Sequence, residues 1–249
     1  MRSCVAASVW LLAAVLSGCS TPPGPAAPPG PPLAHGSDAP ANRLFPAQDL
    51  GLIEPPDRDQ WQPPEVIMDH LNIAEAASVA DIGAGGGWFT IALARRVGPN
   101  GVVFAEDVQP PMVDMIRRRA RRENLSNVIA VLGAADDPKL PRPIDAAIIV
   151  DAYHEMACAA KPSCDDPVAL LGNIARTLKP QGRLGVVDFF PGAGGPGPAP
   201  DERIDPDEVV KAAAAAGLRL ITRTAVPPFE FQYLLVFGHA PSVRSASGP

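Results

Sequence analysis

The chain has 249 residues, enough for one sizeable α/β domain but hardly for two, and its 47% of apolar residues exclude wholesale disorder. Its 27 acidic residues outnumber its 21 Lys and Arg residues and give a net charge of −6. Phosphate binding needs a basic surface and base stacking needs aromatic side chains. This charge, with an aromatic content of 5%, therefore argues against a nucleic-acid partner.

The first residues are typical of an export signal. Arg2 precedes an apolar run over residues 5–16 that is short for a permanent membrane span. The run ends in Leu16-Ser17-Gly18-Cys19, which resembles the lipobox of bacterial lipoproteins. This resemblance implies cleavage before Cys19, a lipid anchor on Cys19, and an exported protein on the periplasmic face of a membrane, with Ser20 favouring the outer membrane. The alternatives are a plain N-terminal anchor, or a misassigned start and a cytoplasmic protein.

The composition divides the chain into four segments. Residues 1–19 form the predicted signal peptide, and residues 20–45 form a tether rich in Pro, Gly and Ala. Such a tether buries too little apolar surface to fold and is expected to be an extended spacer. Residues 46–240 form the predicted folded domain, and residues 241–249 form a flexible tail.

Helix and strand patterns alternate within the folded domain. Alternation of this kind predicts a doubly wound, Rossmann-like α/β fold with seven strands, mostly parallel. The last two strands have no helix between them, which predicts an antiparallel C-terminal pair. In chain order the predicted elements are a helix over 63–73, strand 78–82, helix 88–97, strand 102–105, helix 111–123, strands 127–132 and 144–150, helix 166–178, strand 182–189, helix 206–216, and strands 218–224 and 229–237.

A glycine-rich turn follows the first strand and opens onto a helix. It reads Asp81-Ile82-Gly83-Ala84-Gly85-Gly86-Gly87. Glycines let the backbone turn tightly and approach a ligand closely at a helix N-terminus. The dinucleotide pattern G-x-G-x-x-G would need glycine at position 88, where Trp88 stands. The spacing therefore argues against a nicotinamide oxidoreductase, and a leading carboxylate suits a ligand with a cationic ammonium group.

A second acidic position ends the second strand. An acid at this point of such a fold accepts hydrogen bonds from ribose hydroxyls. Glu106 and Asp107 both stand there, and the alternation of the strand favours Asp107.

The ordered combination of these motifs, over residues 54–238, resembles the class I S-adenosylmethionine-dependent methyltransferases. The resemblance predicts a methyltransferase with S-adenosylmethionine as cofactor, and it assigns residues to each part of that molecule. Residues Asp81, Gly83, Ala84, Gly85 and Gly87 would hold the methionine end, Asp107 with Val108 the ribose, and Ala135 and Asp136 the adenine. The matching segments are Trp61-Gln62-Pro63, residues 79–90, residues 101–113, residues 133–141, Asp151-Ala152-Tyr153-His154-Glu155, and residues 178–184.

The adenine turn departs from the family in one respect. Many relatives carry an acid directly after the glycine of that turn, whereas Ala134 follows Gly133 here. Asp136 is therefore the predicted partner of the adenine amino group.

The carboxyl end of the fourth strand is the expected position of any catalytic base, because it lies beside the transferred methyl group. Asp151, also a cofactor-binding candidate, and His154 are the catalytic candidates, and an unperturbed imidazole has the pKa of a base near neutrality. The alternative is that His154 and Glu155 only order the loop.

The acceptor is predicted to be a small molecule. The segment from Asp151 to His154 lacks the Asn/Asp-Pro-Pro-Tyr-like tetrad of enzymes that methylate adenine or glutamine. The Arg-rich run over residues 117–122 is interpreted as a solvated helix face or a contact with anionic lipid head groups. The competing hypothesis is an exported lipoprotein that binds the cofactor but has lost catalysis and acts as a sensor or scaffold.

Two cysteines follow the candidate catalytic loop. Cys158 and Cys164 are close in sequence, and in an exported protein such spacing indicates a disulfide contributing about 2–3 kcal/mol. The alternative is two free thiols. No metal site is predicted, since two cysteines without nearby histidines make an incomplete zinc site.

Overall fold

The computed structural model describes residues 45–46, 49–141, 143–157, 167–192, 194–228 and 231–241. The predicted signal peptide with its acylated Cys19, nearly all of the tether and the tail from residue 242 onward lie outside the described residues. So does the predicted disulfide between Cys158 and Cys164. These features stay predictions.

One sheet of seven strands forms the centre of the described structure: β1 (Ser78–Ile82), β2 (Val102–Asp107), β3 (Val128–Leu132), β4 (Ile144–Val150), β5 (Leu178–Phe189), β6 (Leu218–Ala225) and β7 (Gln232–His239). Their order across the sheet is β3-β2-β1-β4-β5-β7-β6. Neighbouring strands among β1 to β5 pair in parallel, and β7 is antiparallel to both β5 and β6. This topology confirms the predicted Rossmann-like, doubly wound fold with an antiparallel C-terminal strand pair.

The helices of the described residues are α1 (Leu50–Ile53), α2 (Arg58–Trp61), α3 (Pro64–His70), α4 (Trp88–Val97), α5 (Pro110–Arg122), α6 (Tyr153–Met156), α7 (Pro167–Thr177) and α8 (Pro206–Ala215). A 3-10 turn covers Pro200–Glu202. None of the helices in the described part of the chain is long and apolar enough to cross a bilayer.

The two faces of the sheet are covered by different helices. Successive residues of a strand point to opposite faces, so Val79 and Ala80 of β1 belong to different apolar clusters. Val79 lies in the cluster formed with α3 and α4, and Ala80 lies in the cluster formed with α7 and α8. The central strand β4 is buried on both faces, as its unbroken apolar run predicts, whereas the edge strands β3 and β6 are partly exposed.

Several boundaries differ from the prediction for local physical reasons. α3 ends at His70 rather than near residue 73, because Asn72 adopts a left-handed φ of 55°. β5 begins at Leu178 rather than 182, since the β4–β5 ladder shifts register after Ile144 and accommodates a longer strand. The sequence also gave no periodic signal for α1, α2 and α6, which have four residues each.

The start of the folded part also differs. Phe45, predicted to end the tether, is 8% exposed and packs with Leu50 and Met112.

Parallel pairing brings four strand ends to one edge of the sheet. Ile82 of β1 is in register with Glu106 of β2 and with Ile149 of β4, and Val150 is in register with Val187 of β5. The side chains that follow these positions are acidic in three strands, and they define the candidate site: Asp107, Asp151 and Asp188.

Candidate active site

The loop after β1 bends at glycines with left-handed backbone angles. Gly83, Gly85 and Gly87 have φ angles of 67°, 53° and 83°, which residues with a Cβ rarely adopt. A Cβ on Gly83 would also lie 2.7 Å from Met156 Cε and 2.9 Å from Ala152 Cβ. The alternate glycines therefore meet a backbone and packing requirement of the turn that leads into α4.

Asp81, the acid that precedes this glycine loop, lies beneath it. Its side chain is 2% exposed, and its Oδ2 accepts a hydrogen bond from Thr90 Oγ1 of α4 at 2.6 Å. Burial raises the pKa of Asp81 to about 6, while the Thr90 hydroxyl lowers it. At neutral pH the carboxyl group is therefore mainly ionised and puts a negative charge under the loop.

Asp107 is fixed at the end of β2 by backbone donors. Its Oδ2 accepts from the Gly85 N–H at 3.0 Å and its Oδ1 from the Gln109 N–H at 2.8 Å. Burial raises the pKa of Asp107, and these N–H groups oppose that rise. The carboxylate is therefore held directly against the glycine loop, the geometry that the ribose-binding prediction requires.

The predicted adenine turn lies beside Asp107. Gly133 N–H donates to the Asp107 carbonyl oxygen at 3.2 Å. Ala134 and Asp137 exchange two backbone hydrogen bonds of 2.8 and 3.1 Å, which close the turn. Asp136 is exposed at its tip, so its carboxylate is open to a ligand.

Glu106, the other acidic residue considered for ribose binding, points to the face of β2 opposite to that of Asp107. It is 2% exposed, and its Oε2 lies 3.4 Å from the Gly83 N–H. Its Oε1 has no hydrogen-bond partner among the described residues. Burial, and next the charge of Asp107, raise the pKa of Glu106 to about 8.

Asp151 lies at the end of β4 inside a polar cluster. Its Oδ2 is 2.6 Å from Arg58 Nη2, and it accepts from Gln62 Nε2 at 2.8 Å. Gln232 of β7 also donates to it, and the Arg58 guanidinium stacks on the Trp88 ring at 4.1 Å. Burial raises the pKa of Asp151 despite the charge of Arg58. The helix α2 is thereby attached to the carboxyl edge of the sheet.

His154 forms a pair with Asp188 of β5. Its Nδ1 lies 3.0 Å from Asp188 Oδ1, and its backbone N–H donates to Asp188 Oδ2 at 2.9 Å. Burial opposes protonation of the ring, but the charge and hydrogen bond of Asp188 raise the pKa of His154 to about 9. At neutral pH the ring is mainly protonated. The expectation of a base with an unperturbed pKa therefore does not hold for His154.

The Gly- and Pro-rich loop after β5 is organised around Arg203. The Arg203 guanidinium donates to the carbonyl oxygens of Pro198 at 3.0 Å, Phe190 at 3.3 Å and Pro196 at 3.3 Å. It also stacks over the Phe189 ring at 5.3 Å. This loop therefore surrounds a buried cationic side chain.

The Arg-rich run lies on α5, where most of its members are exposed as expected. Arg119 differs, because it turns toward the glycine loop. It pairs with Glu54 at 2.6 Å and donates to the Gly86 carbonyl oxygen at 2.9 Å. One arginine of this run therefore holds the glycine loop through a main-chain oxygen.

Four polar residues of this edge were not among the site residues predicted from the sequence. Asp188 carried a usable signal, since it is a charged residue near the carboxyl end of an apolar parallel strand. Gln62 lies in the matching segment Trp61-Gln62-Pro63, but the resemblance assigned it no role. Arg58 and Gln232 gave no signal, because they reach Asp151 from positions more than 80 residues away in the chain.

Comparison with known proteins agrees with this geometry. Residues 79–182 match the methyltransferase domain family. An uncharacterized methyltransferase of Mycobacterium tuberculosis is 36% identical over 127 residues, which cover 50% of this chain and 44% of that protein. Nocamycin O-methyltransferase of Saccharothrix syringae is 31% identical over 125 residues, which cover 50% of this chain and 42% of that protein. The chain thus spans less than half the length of these relatives.

A solved structure shares the fold over most of the chain. The S-adenosylmethionine-dependent methyltransferase from Aquifex aeolicus has a TM-score of 0.69 and 24% identity, with coverage of 78% of this chain and 98% of that one. Residues 79–182 thus resemble a methyltransferase domain, and the described structure shares the fold of a solved methyltransferase.

Proposed function

We propose that the protein transfers a methyl group from S-adenosylmethionine to a small-molecule acceptor. The observation that carries this proposal is the Asp107 carboxylate, held against the glycine loop by the Gly85 N–H at 3.0 Å. A fixed carboxylate at the end of β2, beside a glycine turn, is suited to a ribose diol.

The residues present fit the cofactor at both of its ends. The ionised Asp81 under the glycine loop favours a cationic amino-acid head above it. The exposed Asp136 can accept from an adenine amino group, and Val108 and Ala135 flank this end. In this proposal the glycine loop holds the methionine part, Asp107 the ribose, and the turn around Gly133 the adenine.

The bound cofactor supplies a methyl group already activated by a positive sulfur. The protein's task is therefore to align the acceptor with that methyl group and to exclude water. The Arg58–Asp151 pair fixes α2 at the edge of β4 and closes this side of the site. Asp188 orients the His154 ring, and the protonated ring can donate a hydrogen bond to an oxygen of the acceptor.

The test is calorimetry of the purified full chain with adenosylhomocysteine, S-adenosylmethionine and NAD. We expect binding of the first two and none of NAD. Asp107→Asn should weaken adenosylhomocysteine binding between about tenfold and a hundredfold, since a hydrogen bond to a charged group contributes about 1.5–3 kcal/mol.

Asp114→Asn is the matched control, because Asp114 is an exposed carboxylate of α5 paired with Arg117. It should bind like the wild type. Binding of NAD in place of adenosylhomocysteine, or equal affinities for the Asp107 and Asp114 variants, would contradict the proposal.

We also propose that Cys19 carries a lipid anchor on the periplasmic side of a membrane. The support is the apolar run over residues 5–16 followed by the lipobox-like Leu16-Ser17-Gly18-Cys19. Wild type should partition into detergent and Cys19→Ala should not.

The alternative to an active enzyme is a cofactor-binding sensor or scaffold. This alternative would be favoured if the protein binds the cofactor but methylates none of a broad set of acceptors.

A further inference from the structure

The buried carboxyl group of Glu106 lies between the two turns proposed to hold the cofactor. Its Oε2 lies 3.4 Å from the N–H of Gly83, the first glycine of the loop after β1. On its other side, a Cβ built on Gly133 would lie 1.8 Å from Glu106 Oε1. Glycine at position 133 therefore leaves the room that this carboxyl group occupies.

The Oε1 atom of Glu106 is buried and has no partner among the described residues. A buried polar atom without a hydrogen bond is unfavourable, so native structures seldom keep one without a ligand or water to bind it. Among the described residues, the charged groups that shift its pKa are acidic: Asp107 from its own strand, Asp81 from β1 and Asp137 from the turn after β3. With a pKa of about 8 in this setting, the carboxyl group keeps its proton at neutral pH and can act as a donor.

We propose that Glu106 is a cofactor-positioning residue whose carboxyl group donates a hydrogen bond to an acceptor atom of the adenosyl group. The inference rests on the proposed function. It divides the recognition of the nucleoside between two adjacent residues of β2. Asp107 accepts from ribose hydroxyls, and the protonated Glu106 donates to an atom that has only lone pairs, such as a ring nitrogen of adenine.

Calorimetry of the full chain with adenosylhomocysteine from pH 6.5 to 9.5 tests this inference. In the wild type the affinity should fall about tenfold between pH 7 and 9, because ionisation removes the donor and adds a charge beside Asp107. Glu106→Gln keeps an N–H donor but cannot ionise, so its affinity at pH 7 should stay within a few-fold of wild type. Between pH 7 and 9 the affinity of Glu106→Gln for adenosylhomocysteine should fall about tenfold less than that of the wild type.

Glu106→Leu removes the donor and should bind several-fold more weakly than Glu106→Gln at pH 7. Asp114→Asn, the exposed control, should follow the wild-type profile. Thermal unfolding of each variant monitors the fold, and the Glu106→Gln profile decides the inference even where the leucine variant fails to fold. His154 also titrates in this range, so only the difference between wild type and Glu106→Gln counts.

A Glu106→Gln profile that declines as steeply as wild type would overturn the inference, and so would a Glu106→Leu affinity equal to that of wild type at pH 7. Both outcomes leave cofactor binding intact. Failure of the wild type to bind adenosylhomocysteine at any pH would instead overturn the proposed function.

Discussion

The two halves of the candidate site treat their buried carboxyl groups differently. At the ends of β1 and β2, Asp81 accepts from a hydroxyl and Asp107 accepts from backbone N–H groups. One oxygen of Glu106, also at the end of β2, bonds to no described atom. At the ends of β4 and β5, Asp151 and Asp188 bond directly to Arg58 and His154. The first half is therefore left to be completed by a ligand, whereas the second half pairs its carboxylates with cationic side chains of the protein.

The pKa values rise in both halves, but the causes differ. Without a cation in contact, burial raises the pKa of Asp81 to about 6 and that of Glu106 to about 8. In the other half the carboxylate of Asp188 instead raises the pKa of His154 to about 9. The half at the ends of β4 and β5, called the acceptor half below, should keep its structure before any ligand binds. The half at the ends of β1 and β2, called the cofactor half, should gain stability when a ligand binds.

Breaking the Arg58–Asp151 pair in the acceptor half should cause the largest loss of stability. Arg58→Met leaves the buried Asp151 carboxylate without its cation, and loss of one partner of a buried pair costs about 3–5 kcal/mol. Urea unfolding at pH 7 measures the loss. The double variant Arg58→Met/Asp151→Asn should recover part of it. A single variant within 1 kcal/mol of wild type would mean that this pair does not stabilise the fold.

A smaller effect is expected from the other pair. Asp188→Asn should return the pKa of His154 from about 9 toward its ordinary 6.5, as read from the imidazole signals in NMR titrations. Because the folded-state pKa is raised, the pair stabilises the fold fully below pH 6.5, and that contribution is lost as the pH rises through 9. It amounts to at most about 3 kcal/mol. Asp145→Asn, at the opposite edge of the sheet, should leave the His154 titration unchanged.

The smallest loss of stability is expected from the hydrogen bond between the Thr90 hydroxyl and Asp81 in the cofactor half. Thr90→Val removes the hydroxyl bonded to Asp81 and should lower the stability by about 1–2 kcal/mol at pH 7.5, while raising the Asp81 pKa. Thr90→Ser keeps the hydroxyl and should lose less in the same urea titration. Equal stabilities for the two variants would show that the hydrogen bond contributes nothing.

The cofactor half was the more predictable part of the site. Gly83, Gly85 and Asp107 could be proposed from sequence because glycine spacing and strand alternation are local properties. The structure brings Gly85 and Asp107 into hydrogen-bond contact, and their binding of a cofactor stays a prediction. The doubly wound fold and its antiparallel C-terminal strand pair followed from the alternation of elements in the same way. Glu106, by contrast, was weighed only as a ribose ligand, since its burial and its unpartnered oxygen depend on the turn after β3.

The acceptor half could not be predicted to the same depth. His154 was located correctly at the end of β4, but its protonation state depends on Asp188, which is 34 residues further along the chain. The start of β5 was misplaced because its extension follows from a register shift against β4. Both depend on pairing between distant segments, which a local pattern does not encode.

The cationic centre under the loop after β5 has a consequence for how the sequence of that loop can vary. Arg203 holds the loop through main-chain oxygens of Phe190, Pro196 and Pro198, which every amino acid possesses. Side chains along the loop can therefore be exchanged without removing this anchor, except at Gly195 and Gly197, where a Cβ would lie 2.7 Å and 2.6 Å from neighbouring rings. A loop held this way can change in sequence while the framework around it stays the same.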